Sequence, residues 1–187
     1  MTTIPAILSD SENRMKKSVE TLKKELSGIR TGRASPALLE GITALYYGTP
    51  TPINQLATIT TPEARVIVIQ PWDKQAMKDI EKAILMSDLS LTPNNDGQVI
   101  RISIPIPTEE RRRDLVKTVG KRVEDGHIAV RNIRREGMDK IKAMEKEKTL
   151  SQDDSKRGQE QLQKLTDTYV QAMDALRKDK EAEVLEI

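Results

Sequence analysis

The feature that most constrains this chain is a set of three apolar stripes with helical spacing. The first predicts a helix over residues 9–30, in which Ser9 and Glu12 have the spacing of a capping box. The second predicts a helix over 108–148, which would be about 60 Å long. The third follows a break, where Ser151 can start a helix. Because a lone amphipathic helix cannot bury its stripe, the three helices are expected to pack together. The stripes consist of Met15, Val19, Leu22, Leu26 and Ile29; of Val116, Val119, Val123, Gly126, Val130, Ile133, Gly137, Ile141 and Met144; and of Leu162, Leu165, Tyr169, Ala172 or Met173, Leu176 and Val184.

The segment between the first and second stripes has a different composition and hydrophobic pattern. Prolines and glycines divide it into short pieces, and Val66–Gln70 reads as a buried strand. Val99–Ile104 alternates isoleucines with polar residues, as a half-buried strand does. Asp73 can cap a helix that runs through about Met86, and Pro93–Gly97 is predicted as a turn. These patterns indicate a small α+β unit of about 75 residues.

The predicted fold class is therefore α+β, with a discontinuous, elongated three-helix bundle into which a small domain is inserted. The bundle is assigned to residues 1–30 plus 106–187, and the inserted α/β domain, expected to resemble a β/α/β sandwich, to 31–105. The chain must then cross twice between the domains. The predicted hinge residues at the two crossings are Thr31, Gly32, Ile104, Pro105 and Pro107.

Composition excludes several kinds of chemistry. The chain has no Cys and a single His, so it cannot form a disulfide framework, a cysteine-based zinc site or a multi-histidine metal site. His127 is interpreted as a surface or hydrogen-bonded residue, and no arrangement of nucleophile, base and oxyanion donor is evident. No metal, no cofactor and no enzymatic activity are expected. The longest aliphatic run is Val66–Ile69, and the N-terminus lacks the pattern of a secretory signal, so no membrane segment and a cytoplasmic location are expected.

Charge is segregated although the formal net charge is only +2. Residues 105–148 hold 13 Lys and Arg against 9 Asp and Glu, whereas residues 149–187 hold 6 against 9. On a helical projection centred on Val130, six cations fall in a sector between about 40° and 140° from the apolar stripe. We call these residues the cationic ridge: Arg113, Lys117, Arg131, Arg134, Arg135 and Lys142. Glu124 and Glu145 are acidic residues that fall in the same sector.

The ridge supports two classes of function. It can bind phosphate, since the guanidinium fork fits phosphate well, or its charges can simply solvate the exposed face of a helix. In the second case the bundle would be a scaffold that binds another protein. An RNA-binding factor would lose affinity steeply with added salt, whereas an apolar protein–protein groove would not.

The scarcity of aromatic residues limits how RNA could be recognised. The chain has four, namely Trp72, Tyr46, Tyr47 and Tyr169, and they are not interleaved with basic residues. Proteins that read single-stranded bases use exposed aromatic rings as stacking platforms. Recognition is therefore expected through the backbone and shape of a folded RNA, and Trp72 is interpreted as a packing residue.

Motifs along the whole chain resemble one family. They are Leu26–Pro36 (LSGIRTGRASP), Tyr47–Ala57 (YGTPTPINQLA), Pro71–Asp73 (PWD), Asp88–Gly97 (DLSLTPNNDG), Thr108–Lys117 (TEERRRDLVK), Val130–Arg135 (VRNIRR) and Asp179–Ile187 (DKEAEVLEI). In this order they closely resemble bacterial ribosome recycling factors. The resemblance implies an L-shaped fold similar in outline to transfer RNA. It also implies a non-catalytic factor that acts with elongation factor G and GTP to split post-termination ribosomes into subunits.

The resemblance also implies roles for particular residues. Arginines of the VRNIRR-type motif are central to the family's contact with large-subunit (23S-type) ribosomal RNA, and here they are Arg131, Arg134 and Arg135. Arg30 and Arg33 of the GIRTGR-type motif are weaker candidates for the same contact, because they lie at the predicted domain junction. With the ridge residues Arg113 and Lys117 they complete the expected RNA-binding set, and a self-contained bundle suggests a monomer. The chain departs from the family at Pro107, where a leucine is common, and this proline should stiffen the second crossing.

Overall fold

The computed structural model describes residues 3–186 and divides them into two compact units. One contains residues 3–30 and 109–186, and the other contains residues 31–108. The α+β class that the sequence predicts is confirmed.

The first unit is a bundle of three long helices, each of which contacts the other two. They are α1 (Ile4–Ser27), α3 (Glu109–Lys146) and α4 (Gln152–Leu185). The core holds apolar side chains from every helix, among them Met15 and Leu22, Val119 and Val130, and Leu162 and Met173. The last turn of α3 is closed by Thr149, whose backbone N–H and hydroxyl both donate to the carbonyl of Met144.

Helix α1 starts earlier than predicted. The side chain of Thr3 accepts a hydrogen bond from the backbone N–H of Ala6, and Pro5 stands in the first turn, where a missing N–H costs nothing. Ile7 and Ser11 are buried and extend the stripe by two turns. The predicted cap at Ser9 is therefore wrong, because that residue lies inside the helix. By contrast, Ser151 caps α4 as predicted, accepting from the N–H of Asp154.

The buried face of α3 also differs from the predicted stripe. Leu115 is buried where Val116 was predicted, and His127 is buried beside the predicted Gly126. The reason is that α3 packs against two helices at once, so its buried face is wider than one stripe and extends toward each partner. A single periodic stripe cannot describe such a face.

The second unit contains two sheets, one α-helix and two short 3-10 helices, Pro36–Leu39 and Ile53–Gln55. Strands β1 (Thr43–Tyr46) and β2 (Thr49–Pro52) form a hairpin, and β3 (Ala57–Glu63), β4 (Val66–Pro71), β5 (Pro93–Asn95) and β6 (Ile100–Ser103) form an antiparallel sheet of order β3-β4-β6-β5. The hairpin turn has positive φ at both central residues, Tyr47 and Gly48, which is the geometry that suits the twist of paired strands. Helix α2 (Ala76–Leu85) packs against β1.

The core of this unit is rich in isoleucine. The predicted strands are present as β4 and β6, where Ile67 and Ile69 face the same core as Ile100 and Ile102. The turn predicted at 93–97 is smaller than expected, because its first three residues pair with β6 as an edge strand, the position in a sheet that tolerates proline. Asp96 makes the remaining turn, accepting backbone hydrogen bonds from Gln98 and Val99. Asp73 accepts from the N–H of Gln75, but α2 begins only at Ala76.

Both chain crossings are tied to one turn of the second unit. The N–H of Ala34 donates to the carbonyl of Ala64 at 2.7 Å, and the N–H of Ile104 donates to that of Arg65 at 2.8 Å. Ile104 also belongs to the isoleucine-rich core, so its predicted role as a hinge residue does not fit this anchoring. Gly32, with φ of 89°, lies before the first anchor, and Pro105 and Pro107 lie after the second.

Candidate nucleic-acid interface

The cationic ridge lies along one flank of α3. Because α3 is continuous from Glu109 to Lys146, the rise of 1.5 Å per residue places Arg113 and Lys142 about 44 Å apart. Lys117 is highly exposed, with 81% of its side chain accessible, and Arg113 pairs with Glu109 one turn away while remaining mostly exposed. The helix therefore presents its cations as a row.

The three arginines of the VRNIRR segment have different surroundings. Arg131 is exposed, and its Nη1 donates to Glu124 Oε1 at 3.2 Å. Arg134 is half-buried, and its Nη1 donates to Gln163 Oε1 of α4 at 2.7 Å. Arg135 is exposed. None of the three is turned into the core, so this part of the cationic ridge lies on the surface of the bundle.

Arg134 is hydrogen-bonded to the neighbouring helix α4. Its Nε is buried and has no hydrogen-bond partner among the described residues. Its contact on α4 is a neutral amide, which leaves the positive charge of the guanidinium uncompensated by that partner. Arg134 thus combines a fixed position with an available charge.

A carboxylate pair surrounds His127 next to the ridge. Its ring is 9% exposed, with Nδ1 3.4 Å from Glu124 Oε2 and Nε2 2.9 Å from Asp174 Oδ1, an approach that lies outside hydrogen-bond angles. Glu124 therefore contacts both Arg131 and His127 on α3. His127 thus lies between carboxylates of α3 and α4, and Glu124 is the acidic side chain that contacts Arg131 within residues 3–186.

The opposite flank of α3 faces α1 and pairs its charges across helices. Arg14 Nη1 donates to Glu136 Oε2 at 2.6 Å, and this hydrogen bond and charge hold the pKa of the Glu136 carboxyl below its ordinary value. Arg122 lies 4.0 Å from Glu25. Arg14 and Arg122 thus pair with carboxylates across the boundary between α1 and α3.

The remaining predicted RNA-binding residues lie outside α3. Arg30 is exposed and follows the end of α1 in the bundle unit, whereas Arg33 is exposed in the second unit. The structure therefore brings together the α3 residues of the predicted set, and it assigns these two arginines to different units.

Two side chains near the ridge were missed by the sequence reasoning. Gln163 contacts Arg134 across 29 residues of sequence, and its Nε2 donates to Asp167 Oδ1 at 2.8 Å. The i,i+4 spacing of Gln163 and Asp167 was visible as a helical pair. The contact with Arg134 had no sequence signal, since it depends on how α3 and α4 are aligned.

Trp72 is more exposed than predicted. Trp72 is 68% exposed, and its Nε1 donates to Thr58 Oγ1 at 3.0 Å, so its interpretation as a packing residue is wrong. The loop that carries it follows β4 and leaves the ring outside the isoleucine-rich core. Tyr46 donates to Asp73 Oδ2, which raises the pKa of its hydroxyl to about 12. These residues belong to the second unit and not to the ridge.

Fold and surface together define a class of protein. It is an α+β protein built on a three-helix bundle, with a cationic edge suited to a polyanionic partner. Within residues 3–186, no group of three or more His, Cys, Asp or Glu side chains is placed to hold a metal ion, and no helix has the length and apolar character needed to cross a bilayer.

Comparisons with known proteins identify the family. The family model described as ribosome recycling factor matches residues 22–185. The ribosome-recycling factor of Syntrophomonas wolfei is 55% identical over 184 residues, which cover 98% of this chain and all of the relative, and that of Brevibacillus brevis is 52% identical, covering 97% and 98%. The chain therefore belongs to the ribosome recycling factor family, whose members are non-catalytic translation factors.

Solved structures agree with this assignment. A solution structure of a ribosome recycling factor covers all of both chains at 45% identity with a TM-score of 0.77. The T. thermophilus ribosome recycling factor, described together with E. coli elongation factor G bound to the E. coli post-termination complex, has a TM-score of 0.66 at 47% identity. That comparison covers 98% of this chain and all of the other.

Proposed function

We propose that this protein dissociates post-termination ribosomes into subunits together with elongation factor G and GTP. It acts as a monomer in the cytoplasm, and its bundle binds ribosomal RNA of the large subunit. Membership of the ribosome recycling factor family supports the general role. The observation that carries the RNA contact is the row of exposed cations on α3.

The chemistry of the ridge suits a folded RNA. Arginine donates through a planar fork that matches two phosphate oxygens, and three of the six ridge residues lie within the five positions 131–135. Tyr169, the one aromatic residue of the bundle, is half-buried and its hydroxyl donates to Glu12 of α1. The ridge therefore contacts phosphates and ribose along the RNA backbone, and it does not stack on bases.

Helix stiffness gives the bundle a mechanical role. In this mechanism the ridge anchors α3 on RNA while elongation factor G pushes the second unit. A continuous helix of 38 residues transmits such a push with little loss, whereas a broken one would absorb it. Bending is confined to Gly32 and to the short segment 105–107, because the residues just beyond them are hydrogen-bonded into the second unit.

The test is sedimentation of post-termination ribosomes with the protein, elongation factor G and GTP. The wild-type protein should convert them to free subunits, and omission of either factor or nucleotide should prevent this. Arg134→Ala should weaken binding to large subunits and reduce splitting, while its thermal melt by circular dichroism stays nearly unchanged. Arg122→Ala is the matched control, since it removes an exposed arginine from the other flank of the same helix.

Two results would contradict the proposal. If wild-type protein leaves the ribosomes intact, the recycling role is wrong. If Arg134→Ala and Arg122→Ala bind large subunits equally well, the ridge is not the RNA-binding surface. A large loss of folding stability in Arg134→Ala with intact binding would show that this arginine is structural.

A further inference from the structure

The contact between Arg134 and α4 is built from two consecutive hydrogen bonds. Arg134 Nη1 donates to Gln163 Oε1 at 2.7 Å, and Gln163 Nε2 donates to Asp167 Oδ1 at 2.8 Å. Gln163 and Asp167 lie one turn apart on α4, so the three side chains form a chain from one helix to the next. The side chain of Gln163 is half-buried.

The hydrogen-bonding capacities of the three groups permit one orientation of the amide. A carboxylate can only accept, and a guanidinium can only donate. If the Gln163 amide were flipped, its oxygen would face the Asp167 carboxylate and its NH₂ would face the N–H groups of Arg134. Both contacts would be repulsive. Asp167 therefore fixes the Gln163 carbonyl toward Arg134.

We propose that Gln163 and Asp167 are positioning residues for Arg134 in the RNA contact. The proposal rests on the function proposed above. Gln163 holds the guanidinium in one place, so less side-chain freedom is lost when a phosphate binds. Because the amide is neutral, it holds the arginine without competing with phosphate for the positive charge.

Arg131 shows what a charged partner does instead. Its guanidinium contacts the carboxylate of Glu124, and a phosphate must displace or share that partner. The two neighbouring arginines are thus held by opposite means, one by a carboxylate on its own helix and one by an amide on α4. This contrast predicts different outcomes for Gln163→Leu and Gln163→Glu.

The experiment measures the affinity of the full chain for purified large ribosomal subunits over a range of salt concentrations. Gln163→Leu removes the amide but leaves every charge in place, so we expect affinity to fall about three- to tenfold with an unchanged salt slope. Gln163→Glu places a carboxylate on Arg134 beside Asp167, so we expect a larger fall and a shallower slope. Asp167→Asn, which no longer fixes the amide, should lose less affinity than Gln163→Leu.

A matched control and a double mutant separate positioning from structure. Gln161→Leu removes an exposed amide from the same helix, at a position that lines a cleft together with Thr3 and Pro5, and should bind as wild type. In the Arg134→Ala background, Gln163→Leu should cause no further loss, because the group it positions is already absent. A merely structural role would instead lower the melting temperature and weaken binding in both backgrounds.

Each other outcome refutes the inference in a distinguishable way. If Arg134→Ala weakens binding but Gln163→Leu does not, the positioning role is wrong and the proposed function stands. If the two losses are additive, Gln163 acts independently of Arg134 and the inference is again wrong. If Arg134→Ala itself binds as wild type, the RNA-binding ridge and its positioning residues are both refuted.

Discussion

The two flanks of α3 use the same residue types in different ways. On the flank that faces α1, arginines meet carboxylates of the partner helix, as in the pairs of Arg14 with Glu136 and Arg122 with Glu25. On the other flank, Arg134 meets a neutral amide and Arg135 is exposed. Charge on the first flank is therefore paired between helices. On the second flank, the carboxylates that pair with Arg113, Lys117 and Arg131 belong to α3 itself, and the contact of Arg134 with α4 is neutral.

This difference teaches that counting charges on a helix does not identify its function. Exposed ion pairs typically stabilise a fold by about 0–1 kcal/mol. The pairs on the α1 flank therefore contribute little to the free energy of folding, and their main effect is to favour one alignment of α1 and α3. An arginine whose partner is neutral keeps its full attraction for phosphate. The two flanks differ in the group that an arginine meets across the helix boundary, which is a carboxylate for Arg14 and Arg122 and an amide for Arg134.

The largest effect is expected from removing the arginines of the ridge together. Replacing Arg131, Arg134 and Arg135 by Gln should lower affinity for large subunits by at least about 100-fold, because three charge-assisted contacts are lost. The slope of log affinity against log salt should also become shallower by about two to three units. Binding titrations at several salt concentrations measure both quantities. The double variant of Arg14 and Arg122 to Gln is the control on the other flank, and an equal loss there would remove the distinction between the flanks.

A smaller effect, on folding stability, is expected from adding a methyl group where α3 packs closely against α4. A Cβ at Gly137 would lie 2.7 Å from Leu162 Cδ2 and 3.2 Å from Ser11 Oγ, so Gly137→Ala should lower the free energy of unfolding by about 1–3 kcal/mol. Denaturant unfolding measures this value. Leu162→Val in the same chain should recover part of the loss, because it removes the crowded methyl group.

The matched control for this change is Gly120, a glycine of α3 that is less buried than Gly137. A Cβ at Gly120 would meet Arg177 at an ordinary distance of 3.6 Å, so Gly120→Ala should be neutral or stabilise by up to about 1 kcal/mol through helix propensity. Equal destabilisation by the two alanines would show that close packing at Gly137 does not limit the approach of α4.

Removing the carboxylate beside Arg131 should strengthen binding by a modest factor. Glu124→Gln eliminates a group that competes with phosphate for Arg131 and repels the RNA backbone, so affinity should rise about two- to fivefold. The same large-subunit titration measures the gain. Glu136→Gln, on the α1 flank, should give no gain, and a weaker affinity of Glu124→Gln would mean that this carboxylate orders Arg131 for binding.

The smallest effect concerns the acid stability of the α1 flank. Arg14 lowers the pKa of Glu136 from its ordinary value of 4.5, so the carboxylate is stabilised in the folded state. The contribution is present above that ordinary value and is lost as the pH falls through the lowered pKa. Arg14→Gln should therefore melt slightly below wild type at pH 7, and the difference should disappear as the pH falls below the lowered pKa of Glu136. A difference that persists in acid would assign the effect to lost packing of the arginine.

Much of the fold could be predicted from local patterns. The apolar stripes placed three long helices, Ser151 was identified as a cap, and the alternation at 99–104 located a strand of the second unit. Errors arose where a distant partner decided the outcome. Pro93–Asn95 became a strand because β6 lies beside it, and Leu115 was buried because two helices cover α3.

The candidate site likewise has features set by local sequence patterns and features set by contacts between distant residues. The sequence by itself determined which cations lie along one flank of α3, because the helical period relates residues only a few positions apart. The tertiary structure decided which cation meets a group on the neighbouring helix, since Arg134 and Gln163 meet only through the alignment of two helices. That alignment depends on core packing, including the close approach of α4 at Gly137, and no local pattern encodes it.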